Sequence, residues 1–478
     1  MNSPLNSSIN SSINSSVNTP AKNAASNSCD LDAIIEALVQ KNLECNQDIT
    51  GLKKPDPQKQ EDYKRKLQFL SDMRGQKLWF PYLGSGRGNG PFVELADGSV
   101  KYDFIAGIGP HIYGHSHPRL TKVNIEAALQ NTVMQGHLQQ NTDSLHTLET
   151  LLQLSGMDHG FLTTSGAMAC ENALKIAFQK KAPANRLIAF EHCFMGRTLA
   201  LSQVTDKPAS RTGLPPTLNV DYLPYFDESN PQKSTEEALK VFQTLVQRYP
   251  GQHACIVAEL IQGEGGLKAA HPSFLRAIFE KARSLGIIVI ADEIQSFLRT
   301  SQPFAYQHFD IGDLIDIVTL GKASQLCATL FRKELNPKLG LLSQTFTAST
   351  SAIRSCSAII ELMREKGHFG PSGRNNQLHA HWVKLMEDLA QKHPSWVSGS
   401  YGVGLMMAFT PFEGDGKKAE VFSHRLFEEG VICFLAGDNP KRARFLIPGL
   451  VVENKHLDEV ALCIERALER TALELADD

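Results

Sequence analysis

The sequence predicts an α/β protein whose main domain is a doubly wound, mostly parallel β-sheet. Between about residues 120 and 320, stretches with helical periodicity alternate with short apolar segments, which is the pattern of parallel strands joined by crossover helices. The segment at residues 286–291, GIIVIA, lacks polar alternation, as expected for a strand buried on both faces. Beyond about residue 365, amphipathic helices and short strands such as residues 404–409 indicate a smaller α+β domain.

The individual elements follow from local signals. Residues 30–72 are expected to form two helices broken around residues 51–57, and residues 92–104 to form a hairpin that turns at Asp97 and Gly98. The strands expected in the main sheet are residues 160–163, 187–190, 254–258, 286–291 and 317–320.

Four regions result from these signals. Residues 1–29 are rich in Asn and Ser and bury too little apolar surface to offset the entropy of ordering, so a disordered tail is expected. Residues 30–105 contain the N-terminal helices and the hairpin, and they are expected to join residues 366–478 in the small domain. Residues 106–365 form the large domain.

Composition excludes several classes of partner. The net charge is -3 and no basic block is present, so neither a nucleic-acid nor a membrane surface is indicated. The nine cysteines form no CxxC pair, which argues against a disulfide framework and favours a reducing compartment. No secretory signal or bilayer-length apolar run is found. We therefore expect a cytoplasmic protein that binds small molecules.

Two charged residues follow neighbouring strands. Asp292 ends the strand at 286–291, and Lys322 follows the strand at 317–320. Ligands of open α/β sheets bind at the carboxyl ends of the strands, so this acid and this amine can face one small molecule. Pyridoxal phosphate uses such a pair, because a lysine holds it as a Schiff base and a carboxylate keeps its pyridine nitrogen protonated. Taken singly, either residue is more often a surface lysine or a structural aspartate.

Two further segments could complete a cofactor site. Ser165 is a suitable N-cap, and Gly166 lets a ligand approach the free amides of the helix that follows. Such a helix start binds phosphate, although an ordinary capped helix is the commoner explanation. Phe194 and Arg197 follow the strand at 187–190, where they could cover a flat ring and bind a substrate carboxylate. A turn with a solvated arginine remains the alternative.

A metal site is not expected. His111, His115 and His117 share one loop, but no cysteine or carboxylate completes a set of ligands at zinc spacing. Loop packing is the favoured explanation of the three histidines. The glycine-rich residues 84–90 match neither a dinucleotide fingerprint nor a phosphate loop.

Several motifs occur together in one order. They are SGA at 165–167, FMGR at 194–197, E-x-x-QGEGG at 259–266, DEIQ at 292–295 and GK at 321–322. From about residue 90 to residue 465 the chain resembles the class III (ω-amino acid) pyridoxal-phosphate aminotransferases. The details SGAMACENALK, GKASQLC and AYQ look most like the L-lysine 6-aminotransferase branch. The resemblance implies fold type I, with a seven-stranded, mostly parallel sheet in the large domain and a small domain from both termini.

The resemblance also assigns roles around pyridoxal 5'-phosphate. Lys322 would be the Schiff-base lysine and general acid/base, and Asp292 the partner of the pyridinium nitrogen. Gln295 would contact the ring hydroxyl. Gly166 and Ala167 would hold the phosphate.

Further roles concern the substrate and the assembly. Phe194 would stack on the cofactor ring, and Arg197 would bind a substrate carboxylate. Thr345 matches a threonine that in this family reaches the phosphate of the opposite subunit, which implies a homodimer with active sites at the subunit interface.

The chain departs from the family pattern near the site. Residues 296–301, SFLRTS, are one residue shorter than the usual TGxGRTG segment and lack its glycines. Thr347-Ala-Ser replaces the usual glycines after Thr345-Phe, and Met195 replaces a histidine. These changes leave the chemistry of Asp292 and Lys322 intact and bear on the substrate pocket.

The resulting hypothesis is a transaminase that moves the terminal amine of an ω-amino acid, best L-lysine, to 2-oxoglutarate, giving a semialdehyde and glutamate. Ornithine, acetylornithine and 4-aminobutyrate are alternative donors, since one methylene is worth only about 1 to 3 kcal/mol in discrimination. An aminomutase or racemase, or a catalytically silent scaffold, is a less favoured alternative.

A charge pair is expected to serve both substrates. Glu264 lies in the QGEGG motif, and Arg444 matches the family's C-terminal arginine. With an ω-amino donor, Glu264 would neutralise Arg444. With glutamate, Glu264 would swing away so that Arg444 binds the α-carboxylate while Arg197 binds the distal one. A fixed salt bridge is the alternative.

Overall fold

The structure is a computed structural model that describes residues 25–130, 133–134 and 136–477. Its α-helices are α1 (Ala25–Asn46), α2 (Gln60–Arg74), α3 (Pro118–Ala128), α4 (Thr142–Ser155), α5 (Gly166–Lys181), α6 (Leu201–Val204), α7 (Pro231–Arg248), α8 (Pro272–Ser284), α9 (Ala305–His308), α10 (Thr350–Glu365), α11 (Arg374–Lys392), α12 (Gly416–Glu429) and α13 (Asn454–Asp477). Its strands are β1 (Gly84–Asn89), β2 (Phe92–Leu95), β3 (Val100–Asp103), β4 (Val133–Met134), β5 (His159–Thr163), β6 (Arg186–Phe190), β7 (Asn219–Leu223), β8 (His253–Ala258), β9 (Ile261–Gln262), β10 (Lys268–Ala269), β11 (Ile288–Glu293), β12 (Ile317–Leu320), β13 (Cys327–Phe331), β14 (Ala348–Ser349), β15 (Val397–Val403), β16 (Met406–Pro411), β17 (Val431–Ile432), β18 (Phe434–Ala436) and β19 (Arg442–Leu446).

The main sheet has seven strands in the order β5, β13, β12, β11, β8, β6, β7. Its strands are parallel except β13, which pairs antiparallel with both β12 and β5. All five strands expected in this region are present. The other two, β7 and β13, were not singled out in the sequence. The predicted α/β class with a mostly parallel seven-stranded sheet is confirmed.

Burial on both faces explains the unbroken apolar run of the central strand. Val289 and Ala291 belong to one hydrophobic core, whereas Ile288 and Ile290 belong to another. Successive side chains of a strand point to opposite faces, so the two cores lie on opposite sides of the sheet. Helices cover both faces of a doubly wound sheet, and no position in such a strand meets water.

The predicted hairpin is formed by β2 and β3, in which Glu94 lies opposite Val100. The glycine-rich residues before it extend this sheet as β1, where Asn89 pairs with Phe92. On the other side, β3 pairs in parallel with β17, so segments from near both termini share one four-stranded sheet. This pairing supports a small domain built from both ends, and the boundaries at 105/106 and 365/366 stay a prediction.

The N-terminal tail falls mostly outside the described residues. Disorder was expected for residues 1–29, of which residues 1–24 are not described, and α1 begins at Ala25. The helix break expected around residues 51–57 separates α1 from α2. Within the described ranges no helix is long and apolar enough to cross a membrane.

Candidate active site

The predicted acid and amine lie at the same edge of the sheet. Asp292 is near the end of β11 and pairs with Thr319 of the adjacent parallel strand β12. Lys322 follows β12 after Gly321 and begins a short 3-10 turn. Its backbone has a φ of 52°, a left-handed conformation that side chains other than glycine adopt at a cost. The strand-end rule therefore placed this pair correctly.

Asp292 is held as a hydrogen-bond acceptor inside the protein. Asp292 is buried, with only 6% of the residue exposed. Oδ1 accepts from the amide of Ile294 at 3.0 Å and from the Thr319 hydroxyl at 3.2 Å, and Oδ2 lies 3.5 Å from the Cys170 thiol. Burial raises the pKa of Asp292, while these donors and Lys322 act against the rise. The carboxylate is thus oriented by donors fixed on three different segments.

The environment of Lys322 lowers the pKa of its amine. Burial and the neighbouring Arg444 lower the pKa of Lys322 to about 8, although Glu264, Glu259 and Asp292 act in the opposite direction. A primary amine is nucleophilic only when it is deprotonated. About one tenth of Lys322 is therefore neutral at pH 7, far more than for a lysine of ordinary pKa.

Glu259 is a buried acid of the site that sequence reasoning quoted in a motif without giving it a role. It follows β8, as Lys322 follows β12, and accepts from the amides of Phe194 at 2.8 Å and Gly263 at 3.1 Å. Burial, with a contribution from Asp292, raises the pKa of Glu259 to about 8. The strand-end rule would have found this residue, which joins the turn at Phe194 to the loop at Gly263.

The anion site predicted from the sequence falls at the start of α5. Ser165 caps the helix by accepting from the amide of Met168 at 3.2 Å. Gly166 and Ala167 then provide the first amides, which have no partner within a helix. A Cβ at Gly166 would lie 3.0 Å from Cγ2 of Ile294, so glycine lets the helix start pack directly beside the Asp292 strand.

Gln295 offers an unused acceptor to the site. It is buried, and its Oε1 has no hydrogen-bond partner within the part of the chain that the structure describes. A Cβ at Gly263 would overlap this oxygen, which explains why glycine follows Gln262 here. A buried acceptor without a donor is costly, and a ligand hydroxyl would remove that cost.

The turn with Phe194 and Arg197 is fixed at its backbone. The buried Thr205 hydroxyl lies 3.0 Å from the amide of Met195 and donates to the carbonyl of Gly196 at 2.9 Å. Phe194 is half-buried, whereas Arg197 is exposed with its guanidinium 5.7 Å from the Phe194 ring centroid. The structure thus places this turn beside Glu259 and leaves Arg197 at the surface of the subunit.

Glu264 and Arg444 form the expected ion pair. Nη1 of Arg444 donates to Oε1 of Glu264 at 2.7 Å, and the Arg444 side chain is 0% exposed. Its Nε and Nη2 have no partner among the described residues. Lys207, which sequence reasoning missed, donates to Oε2 of Glu264 at 3.2 Å. Burial would raise the pKa of Glu264, but Arg444 and Lys207 outweigh it and hold the pKa at about 2.

The segment at Thr345 and the shortened loop after Gln295 differ in how far they are exposed. Thr345 is exposed and Phe346 is 53% exposed, so the described residues of the chain do not enclose them. The shortened loop after Gln295 is instead buried. Its Arg299 is fully buried, donates from Nε to the carbonyl of Gln295 at 3.1 Å and also bonds the carbonyl of Gly109.

The loop histidines are packed against one another and against an acid. Nε2 of His115 lies 3.1 Å from Oδ2 of Asp103, and the ring of His111 stacks on that of His115 with centroids 5.6 Å apart. Asp103, the acceptor of this contact, lies at the end of β3 in the hairpin. These contacts account for two of the three histidines by loop packing.

Comparison with known proteins identifies the family. The sequence model described as aminotransferase class-III matches residues 79–468, so the chain belongs to the class III aminotransferases. It is 29% identical to the acetylornithine aminotransferase of Methanocaldococcus jannaschii over 396 residues, covering 78% of this chain and 89% of the relative. It is also 29% identical to the diaminobutyrate--2-oxoglutarate transaminase of Wolinella succinogenes, covering 84% of this chain and 95% of that protein.

Solved structures share the fold. The lysine aminotransferase from M. tuberculosis superposes with a TM-score of 0.75 at 24% identity, covering 85% of this chain and 99% of that one. The ornithine aminotransferase from Toxoplasma gondii ME49 gives a TM-score of 0.73 at 24% identity, covering 85% and 95%. Together with the family membership, these likenesses define a fold type I aminotransferase.

Class III aminotransferases depend on pyridoxal phosphate, and this chain's residues fit that cofactor. The open helix start at Gly166 suits a phosphate, and Asp292 and Lys322 lie near the ends of two neighbouring strands and interact electrostatically. The orphaned Oε1 of Gln295 suits a hydroxyl. Each of these features is a property of the protein, and together they match the three polar ends of the cofactor.

Proposed function

We propose that this enzyme transfers the terminal amino group of an ω-amino acid to 2-oxoglutarate, with the ε-amine of L-lysine as the best donor. The products are the corresponding semialdehyde and glutamate. The observation that carries the proposal is the buried Glu264–Arg444 pair beside Lys322, with Nη1 and Oε1 2.7 Å apart. An enzyme for α-amines alone has no need to neutralise an arginine that every substrate would pair with its α-carboxylate.

Bound pyridoxal phosphate supplies an electron sink for the pair of electrons left when a proton leaves the substrate carbon. Lys322 would supply the primary amine that holds the cofactor. The same amine, once free, would accept the proton at Nζ and return it. Its pKa of about 8 suits both roles, because neither form of the amine is rare near neutral pH.

Asp292 would stabilise positive charge on the ring nitrogen. Its carboxylate receives donors from Thr319, Ile294 and Cys170, which keep it in one orientation. A carboxylate favours the protonated nitrogen, as a neutral amide does not. Gln295 would accept from the ring hydroxyl, and Phe194 would cover one ring face.

Two substrates with different charge patterns then use one pocket. When the donor presents a bare methylene amine, Glu264 stays on Arg444 and leaves no unpaired buried cation. When glutamate binds, Glu264 moves, and Arg444 binds the α-carboxylate through its open Nε and Nη2. Arg197 holds the distal carboxylate of glutamate, or the α-carboxylate of lysine.

The choice of an ω-amine is supported by the relatives. By their names, similar proteins act on acetylornithine and on diaminobutyrate with 2-oxoglutarate, and structural neighbours act on lysine and ornithine. These compounds carry a second nitrogen at the end of a side chain.

The test is a screen of lysine, ornithine, acetylornithine, diaminobutyrate and 4-aminobutyrate as donors to 2-oxoglutarate, in which glutamate formation is measured. Turnover of α-amines only would refute the proposal.

We also propose a homodimer whose active sites lie at the subunit interface. Thr345 and the large side chains of Phe346 and Leu339 are exposed on the single chain, where a partner subunit could cover them. Thr345 would then reach the partner's cofactor phosphate. Light scattering should give twice the chain mass, whereas an active monomer would contradict this assembly.

We also propose that the protein resides in the reducing cytoplasm. The cysteines whose side chains are described are all free, and seven of the eight are buried. Buried thiols of this kind pack as small apolar groups and do not indicate an oxidising environment.

A further inference from the structure

Glu264 is shared between two cations that lie on different parts of the fold. Oε1 contacts Nη1 of Arg444 at 2.7 Å, and Oε2 contacts Nζ of Lys207 at 3.2 Å. Arg444 is on β19, within the small sheet, and Lys207 follows α6 of the large domain. The Glu264 side chain is 19% exposed, so water alone solvates little of its carboxylate.

The position of Lys207 is fixed by the segment that carries it. The amide of Lys207 donates to the carbonyl of Thr205 at 2.9 Å, and the amide of Asp206 donates to that of Cys193 at 3.0 Å. The Asp206 carboxylate in turn accepts from the amide of His192 at 2.8 Å. Lys207 is therefore anchored to the turn that carries Phe194, independently of Glu264.

A carboxylate that leaves Arg444 needs another partner. A half-buried charge without one is penalised by desolvation, and hydrogen bonds to a charged group offset that penalty. Lys207 already holds the second oxygen of Glu264. Rotation about the side-chain bonds of Glu264 can therefore break the Arg444 contact while the Lys207 contact persists.

We propose that Lys207 is a positioning residue that retains Glu264 while Arg444 binds the α-carboxylate of glutamate. This inference rests on the proposed function, since it explains how the Glu264–Arg444 pair opens. In the open state Glu264 has left Arg444, and in the closed state the two remain paired. With Lys207 in place, the open state keeps one ion pair for Glu264 and gains one for the substrate. Without Lys207, the open state leaves a carboxylate unpaired, whereas the closed state still has Arg444.

The test compares the wild-type holoenzyme with the Lys207→Met holoenzyme. Arg211→Met is the matched control. Arg211 lies in the same segment with similar exposure, and it contacts Thr205 and Asp206 rather than Glu264. The first readout is the dissociation constant of glutarate, a five-carbon dicarboxylate without amine or keto group, measured by calorimetry. The second is single-turnover kinetics of the two half-reactions.

Lys207→Met should weaken glutarate binding and the apparent affinity for glutamate by about tenfold. The lysine half-reaction should change by less than about threefold, and Arg211→Met should change neither by more than about twofold. Lys207→Arg, which keeps the charge, should restore most of the loss. In a Glu264→Gln background, Lys207→Met should have no further effect, because the carboxylate it retains is gone.

Two results would overturn the inference. Equal losses in both half-reactions would mean that Lys207 only supports the local structure. An undiminished loss of glutarate binding in the Glu264→Gln background would mean that Lys207 attracts the ligand directly. Failure of the proposed function gives a different result. In that case Glu264→Ala, with Lys207 unchanged, would affect both half-reactions equally.

Discussion

The inner and outer halves of the site are built in different ways. Asp292 and Lys322 lie at the ends of paired strands, and the fold surrounds them with hydrogen bonds and charges. Arg197 and Thr345 lie on exposed segments of the single subunit. We propose that the chemistry belongs to the sheet, whereas recognition at the rim is left to loops and to a partner subunit. Substitutions in the inner half and in the outer half should therefore have different effects on the reaction.

Replacement of Lys322 should have the largest effect. Lys322→Ala removes the amine that interacts with the Asp292 carboxylate, and loss of a proton-transfer group costs up to about 10⁴-fold in turnover. Lys322→Arg should be equally inactive, because a guanidinium keeps the charge but cannot form the covalent link. Circular dichroism should show that both variants stay folded.

Borohydride reduction of the wild-type holoenzyme and peptide mapping should find the cofactor on Lys322. A label on a different lysine would refute the assignment of the inner half.

Asp292→Asn should reduce turnover by about 100-fold, with much less loss of cofactor. The amide keeps the shape but does not favour a protonated ring nitrogen. Turnover and absorbance of bound cofactor would be measured on the same sample. Asp316→Asn is the matched control, since that carboxylate also serves the sheet by accepting from the Val289 amide but lies at the opposite end of the strand. Near-normal turnover of Asp292→Asn would make this acid structural.

The pH dependence of cofactor loading should reveal the lowered pKa of Lys322. The neutral amine reacts, and its fraction rises with pH until the pKa of about 8 is passed. Loading of the apoenzyme should therefore speed up roughly 50-fold between pH 6 and pH 8 and then level off. Nα-acetyl-lysine, measured in the same buffers, corrects for titration of the cofactor. A rate that still rises tenfold per unit above pH 9 would contradict the lowered pKa.

The inner half was predictable from sequence because its signals are local. An unbroken apolar run predicts a buried strand, and the charged residue after it lies at the ligand edge, as found for Asp292 and Lys322. Strand β7 was missed because Asn219 and Asp221 interrupt its apolar pattern. Strand β13 follows the Lys322 turn without a crossover helix, so the parallel pattern gave no sign of it.

Contacts between distant segments could not be predicted in the same way. Lys207 lies in a loop with no periodicity, 57 positions before the Glu264 that it contacts. Only packing of that loop beneath the turn at Phe194 brings the two charges together. The pairing of Glu264 with Arg444 was expected from the family resemblance alone, because the two residues are 180 positions apart and no local signal links them.

The central claim is that the Glu264–Arg444 pair opens for one substrate and stays closed for the other. The most direct measurement is single-turnover kinetics of each half-reaction for Glu264→Ala and Arg444→Ala, with L-lysine or the best donor from the screen, and with glutamate. Glu264→Ala should impair the ω-amine half by about tenfold more than the glutamate half, because it exposes an unpaired buried arginine to the donor. Arg444→Ala should mainly impair the glutamate half. Equal losses in both halves for both variants would show a static salt bridge and contradict the account.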